Sequence, residues 1–156
     1  MDSLFGTYEC KVDAKGRLPL PAGLKKQLAE VMQDGFVVKR AVFQNCLEIH
    51  PMTHWQKIMA KLGKLNRFNR KNDEFIRRFT AGAKEVEVDG NGRIQISKDL
   101  VSFAKIDKEV VLALNVDVIE IWDKQEYEKA ISIDMNDFAD LAEEVMGDKA
   151  EDVELS

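Results

Sequence analysis

Two short stretches carry the side chains best placed to do chemistry. Asp13-Ala14-Lys15-Gly16-Arg17 and Asp89-Gly90-Asn91-Gly92-Arg93 share the pattern D-x-x-G-R. An Asp at the head of such a segment can accept hydrogen bonds from backbone N–H groups ahead of it. A Gly accepts the positive φ that ends the turn. Turn chemistry alone therefore accounts for Asp and Gly, with the Arg paired to the Asp across a hairpin. It accounts less well for the Arg, because an exposed ion pair is worth only about 0–1 kcal/mol. A guanidinium can also fork onto a phosphate or a guanine edge, and a two-stranded ribbon fits the major groove of DNA. On that reading Asp13, Gly16, Asp89 and Gly92 organise the turns, while Lys15, Arg17, Asn91 and Arg93 face DNA. Lys15 and Asn91 would be the turn-tip side chains that differ between the copies.

Enzymatic readings are weaker. Asp13 and Asp89 form a pair of carboxylates, as acid–base catalysis would want. Their place in Gly-containing turns beside Arg favours ionised, structural carboxylates instead. His50 and His54 are four apart and near Cys46, but Pro51 lies between the histidines and only Cys10 remains as a further thiol. A structural zinc site usually needs four ligands. No glycine loop for a nucleotide phosphate is present. The expectation is a protein that is not an enzyme, with no metal, no cofactor and no small-molecule substrate.

The elements that must position the two turns come as a repeat. Val12 to Leu20 matches Val88 to Ile96 at an offset of 76, and Leu24 matches Leu100. Leu47-Glu48-Ile49-His50 matches Ile119-Glu120-Ile121-Trp122 at an offset of 72, and Trp55 matches Tyr127. Two blocks in one order describe a duplicated unit of strand, turn, strand, short helix, strand and helix. Alternating apolar residues flank each D-x-x-G segment, which reads as a local hairpin. Pro21 and Ser97 open short helices. Gly35–Val38, Cys46–Ile49, Val110–Leu114 and Val118–Trp122 read as strands. Trp55, Ile58, Met59, Leu62 and Leu65 mark a helix after a Thr53 cap, and Phe75, Ile76 and Phe79 a second. Phe138, Leu141, Ala142 and Val145 form a weaker stripe, and disorder is expected after Gly147. The fold class is α+β. The expected organisation is a first repeat at 5–55, connecting helices at 56–82, a second repeat at 83–130 and an acidic helix and tail at 131–156.

The 156 residues suit one compact domain or two very small ones. No apolar run approaches the length of a membrane helix, and the N-terminus has no basic stretch or apolar core of a secretory signal. Two cysteines fit a reducing cytosol. The net charge of −5 is unevenly spread: residues 123–156 carry −9, while 57–78 hold eight basic residues against two acidic ones. A basic body suggests a polyanion partner, although a solvated basic helix offsetting the tail fits equally. The acidic stripe around Phe138 leaves open a protein-interaction module, or cover for the basic surface of a neighbouring chain.

Several segments together are more specific. Phe5-Gly6-x-Tyr8, Asp13 to Leu18 with Pro21, Asn45-Cys46-Leu47 through His50-Pro51, Trp55, Arg78-Phe79 to Gly82-Ala83, Asp89 to Arg93 and Ile119 to Trp122 resemble the MraZ family of bacterial transcription regulators. That family's fold is related to the AbrB swapped-hairpin DNA-binding domains. The match spans about residues 5–130. The second copy departs from it at Ile96-Ser97, where Ile-Pro is more usual, and the stretch 115–118 is less typical. The resemblance implies two halves paired as a pseudo-dimer around a small barrel. It implies a ring-shaped homo-oligomer on promoter direct repeats of double-stranded DNA. It further implies a cytoplasmic, nucleoid-associated regulator, usually a repressor, of the division and cell-wall gene cluster.

Overall fold

The computed structural model of the protein describes residues 3–147. The first repeat supplies β1 (Leu4–Lys11), β2 (Arg17–Pro19), the short helix α1 (Ala22–Gln27), β3 (Phe36–Arg40) and β4 (Leu47–Pro51). Helices α2 (Met52–Leu62) and α3 (Arg70–Thr80) follow. The second repeat supplies β5 (Lys84–Val86), β6 (Arg93–Gln95), α4 (Lys98–Phe103), β7 (Glu109–Val116), β8 (Val118–Asp123) and α5 (Lys124–Ile131), and α6 (Met135–Ala142) ends the described chain with one wider turn, Glu143–Gly147. No helix among the described residues is long and apolar enough to cross a membrane.

Strand pairing departs from the local-hairpin reading of the alternation and agrees with the swapped-hairpin fold that the resemblance implies. β1 and β2 flank the first D-x-x-G turn, yet they do not form a ladder with each other. β1 pairs along its whole length with β7, and β2 pairs with β6. The two halves are thus interleaved: each sends its first strand into the other. The six-stranded antiparallel sheet runs β1-β7-β8-β4-β3-β5, and β2-β6 forms a separate two-stranded ladder. The small barrel expected around the pseudo-dimer is not closed, because β1 and β5 remain as two edges of the large sheet.

The register encodes a twofold relation. Leu18 lies opposite Ile94, its own counterpart in the repeat, and Glu48 lies opposite Glu120 in the same way. A twofold axis through both pairs produces this, as at the centre of an isologous dimer interface.

Strand alternation then sorts the side chains. Val38, Leu47, Ile49, Val110, Leu112, Ile119 and Ile121 face a core shared with Leu18, Leu20, Ile94, Ile96, Leu24 and Leu100. Residues of the opposite parity face α2, α3 and α5, with Cys46, Val111 and Trp122 packed under Tyr127. Helix starts differ from expectation at two points, the first being Ser97, which holds the N-cap of α4 without a side-chain cap bond. At the second, Thr53 lies inside α2 and makes no cap bond; Pro51 holds the N-cap position, which suits its fixed φ. The disorder expected after Gly147 falls outside the described residues.

Candidate nucleic-acid interface

The two D-x-x-G-R segments fold alike. In the first, Asp13 Oδ1 accepts hydrogen bonds from the backbone N–H groups of Lys15 and Arg17, each at 2.9 Å, while Oδ2 accepts from Arg17 Nε at 2.7 Å. In the second, Asp89 Oδ1 accepts from Asn91 N at 2.8 Å and Arg93 N at 3.0 Å, and Oδ2 accepts from Arg93 Nε at 3.1 Å. Gly16 and Gly92 close the turns at φ of 81° and 75°, a conformation that favours glycine. Gly16 is doubly constrained, because a Cβ there would collide with the carbonyl of Ile96 from the other repeat.

Each carboxylate therefore makes three contacts, all to donors. Both carboxyls sit below the ordinary Asp range, chiefly through the hydrogen bond from the Arg backbone N–H, against some desolvation. Each Arg is gripped by Nε alone. Its terminal nitrogens make no hydrogen bond or ion pair among the described residues, so the outer edge of the guanidinium is available to a further partner.

The crossing of β2 and β6 brings the turns together. Ile96 N donates to Gly16 O at 2.7 Å, and Leu20 N donates to Gly92 O at 2.9 Å, so each turn is stitched to the strand leaving the other. In the ladder Arg17 faces Gln95 and Pro19 faces Arg93. Leu18 and Ile94 point into the core, so Arg17 and Arg93 both lie on the ladder's outer face. As diagonal neighbours in an antiparallel pair they are about 7–8 Å apart. Lys15 and Asn91 sit exposed at the two tips.

Three nearby residues had no sequence signal of their own. The Gln95 side-chain amide donates to the Lys15 carbonyl and ties the second repeat to the first turn. Lys25 Nζ lies 2.8 Å from where a Cβ on Gly92 would sit, so its ammonium rests against the second turn. Lys98 lines a cleft of about 370 Å³ beside the first turn, with Lys15, Val101 and Ser102. The repeat offset shows only that the flanks differ while the turns agree: the counterparts of Gln95, Lys25 and Lys98 are Pro19, Val101 and Ala22.

His50, His54 and Cys46, considered for metal or nucleophilic chemistry, lie elsewhere, on the outer side of the large sheet, while Cys10 packs against the inner core. Lys39 is fully buried and donates to Glu48 Oε1 at 3.0 Å, with its ammonium 4.6 Å from the centre of the Phe79 ring. His50 Nε2 lies 3.0 Å from the same Glu48 oxygen, and its ring stacks on His54 at 5.6 Å. Burial opposes the charge on Glu48, but the His50 hydrogen bond and Lys39 outweigh it and hold the carboxyl below its ordinary value. Burial pushes the Cys10 thiol up to about 11 and Cys46 to about 12, which keeps both protonated at neutral pH. Among the described residues no group of three His, Cys, Asp or Glu side chains converges as a metal site.

The comparisons with known proteins agree with this architecture. The family described as "MraZ protein, putative antitoxin-like" matches twice, over residues 4–78 and 79–148. A protein of Christiangramia forsetii named transcriptional regulator MraZ is 64% identical over 147 residues, covering 94% of this chain and 95% of that one. Its namesake in Flavobacterium psychrophilum is 58% identical over 152 residues, 97% of each chain. A third, in Cytophaga hutchinsonii, is 37% identical over 146 residues, 94% of this chain and 96% of the relative. With both repeats matched and the similarity running through nearly the whole chain, the protein belongs to the MraZ family.

Proposed function

We propose that this chain is a sequence-specific, DNA-binding transcriptional regulator without enzymatic activity. It reads duplex DNA through the outer face of the β2–β6 ladder and its two turns. The observation that carries this is the crossing itself. It sets Arg17 and Arg93, from separate repeats, on one surface with their terminal nitrogens uncommitted. Asp13 and Asp89 hold each guanidinium in place before DNA arrives, which lowers the ordering cost of a contact. Lys15 and Asn91 reach from the tips, and Lys25 and Lys98 add phosphate attraction at the flanks. The relatives' shared name, transcriptional regulator MraZ, supports the same reading.

In its finer form the proposal follows the family resemblance. The chains form a ring, the ring engages short direct repeats in the promoter of a division and cell-wall gene cluster, and the bound state represses. One ladder makes few contacts, so several linked copies gain avidity when their spacing matches the DNA repeats. Such a protein works in the cytoplasm, at the nucleoid. A titration of DNA upstream of the protein's own gene, repeated across salt concentrations, tests this. Affinity should fall steeply with salt and drop further in Arg17→Ala. Binding indifferent to both salt and that substitution would refute it.

A further inference from the structure

Helix α6 has no cover among the described residues. Every residue from Met135 to Leu141 is exposed, and Met135 (87%), Phe138 (57%), Leu141 (46%) and Val145 (52%) leave large apolar surfaces in water. Phe138, Leu141, Ala142 and Val145 fall at helical spacing on one side. Around them stand Asp134, Asp137, Asp140, Glu143 and Glu144, with no basic residue between Ser132 and Gly147. A helix of this length is marginal alone in water, and most helical stability comes from packing an amphipathic face. The α6 segment thus has the form of a docking element.

A complementary surface exists on the same chain. Helix α3 packs inward through Phe79, which stacks on Trp55 at 6.0 Å. Phe75, one turn earlier on the same side, stacks on Phe79 at 5.9 Å and stays half exposed at the edge of that packing, in a shallow groove with Lys71, Glu74 and Arg78. Arg70 and Lys71 form no ion pair among the described residues, and Lys57, Lys61 and Lys64 of the adjoining segment likewise form none. Arg78 pairs with Glu74 at 3.1 Å, which leaves Arg70 and Lys71 as the cations beside Phe75 that are unpaired among the described residues, a net basic border opposite in sign to that of α6.

We propose that α6 of one chain docks on the exposed edge of α3 around Phe75 in a second copy. Phe138 and Leu141 cover Phe75, and the acidic border of α6 meets Arg70, Lys71 and Arg78. Among the described residues of one chain both surfaces are open, and the partner is another chain carrying the same pair. Each copy then gives one acidic helix and receives another. This is a head-to-tail contact, the kind that closes into a ring when its rotation permits. The proposal rests on the self-assembly set out above and names the contact that makes it.

The test is the mass of the full-length protein by light scattering, without DNA. It is compared with the chain ended at Ser132, with K71E/R78E, with D137K/E144K, and with the two reversals combined. The full chain should be a multimer. Truncation and each reversal alone should lower the mass at least twofold, and the combined reversals should restore it. The restored species excludes misfolding as the cause of the losses. A multimer whose mass ignores all four changes would overturn this contact while leaving self-assembly standing. A full-length monomer would overturn both. Arg17→Ala serves as control, with mass unchanged whether or not it binds DNA.

Discussion

The two halves of this molecule agree at their turns and disagree on the far face of the sheet. At the turns, Asp13 with Arg17 and Asp89 with Arg93 repeat one set of hydrogen bonds to within a few tenths of an ångström. Across the sheet, Glu48 and Glu120 lie opposite each other on the pseudo-twofold, where two like charges repel. Each half deals with its own Glu differently. Glu48 takes a buried ammonium and an imidazole, from Lys39 and His50. Glu120 takes two neutral donors, Trp122 Nε1 at 3.1 Å and Asn115 Nδ2 at 3.0 Å. The helix starts diverge too: Pro51 opens α2 without a side-chain cap, while its counterpart Asp123 caps α5 through Gln125 N and Glu126 N. A true homodimer would have to use one solution twice. A fused dimer is free of that requirement, so positions that still match are those where both halves need the same geometry. That argument selects the turns.

The largest effect should come from breaking the first half's solution. Lys39→Ala leaves Glu48 facing Glu120 with only His50 for company, and removing one partner of a buried pair costs about 3–5 kcal/mol. Asn115→Ala in the second half removes a neutral donor and should cost about 0.5–1.5 kcal/mol. Urea denaturation of both variants checks the contrast, and equal losses would show that the two solutions are not distinct.

Next come the arginines. Arg17→Ala and Arg93→Ala should each weaken operator binding by about 1–3 kcal/mol per subunit if each reads a base. Anisotropy titrations on one operator would sharpen the comparison. A loss confined to Arg17 would mean that Gln95, Lys25 and Lys98 have made the turns unequal.

Asp123→Ala should lower stability by about 0.5–2 kcal/mol, the usual range for losing a helix cap. Pro51→Ala, which removes no cap bond, should cost less. Thermal melts of the pair decide it.

The smallest effect is that of pH. The Asp13 and Asp89 carboxyls lie below their unfolded value, so their contribution is complete above the ordinary Asp pKa of about 3.9 and fades as pH falls beneath it. DNA affinity should therefore show no step from these groups between about pH 5 and 8. A step there that Asp13→Asn abolishes would contradict the assignment.

The repeat, the turns and most elements were legible because each is written locally, in D-x-x-G, in alternation and in helical spacing. Strand partnership is not written in those local patterns; only the resemblance to swapped-hairpin domains implies the exchange. The alternation of Val12, Leu18 and Leu20 is satisfied equally by a neighbour in sequence or by a strand from the other repeat, so period-two patterning cannot choose between them. Lys39 was missed because lysine is rarely buried unless paired. The matched Leu47-Glu48-Ile49 and Ile119-Glu120-Ile121 blocks were a usable hint, since a Glu flanked by core residues on a central strand needs a buried partner. Thr53 has the higher cap propensity, but the fixed φ of Pro51 suits the helix start two residues earlier. The acidic stripe of α6 was visible, but no sequence pattern says whether a stripe is covered by its own chain.

Interleaving also sets a timetable for synthesis. β1 emerges first from the ribosome, and its partner β7 follows about a hundred residues later, Leu4 pairing with Val116. β2 waits likewise for β6. Until residue 123 has been made, the six-stranded sheet lacks β8, which links β7 to β4. Contacts so distant along the chain raise the loop-closure cost met before any pairing rewards it, and they slow folding. The first repeat must therefore pass through translation with β1 and β2 unpaired, exposed to any other unfinished chain with the same free strands. Slow refolding and a tendency to exchange strands between molecules are the expected signatures of this molecule when it is diluted from denaturant.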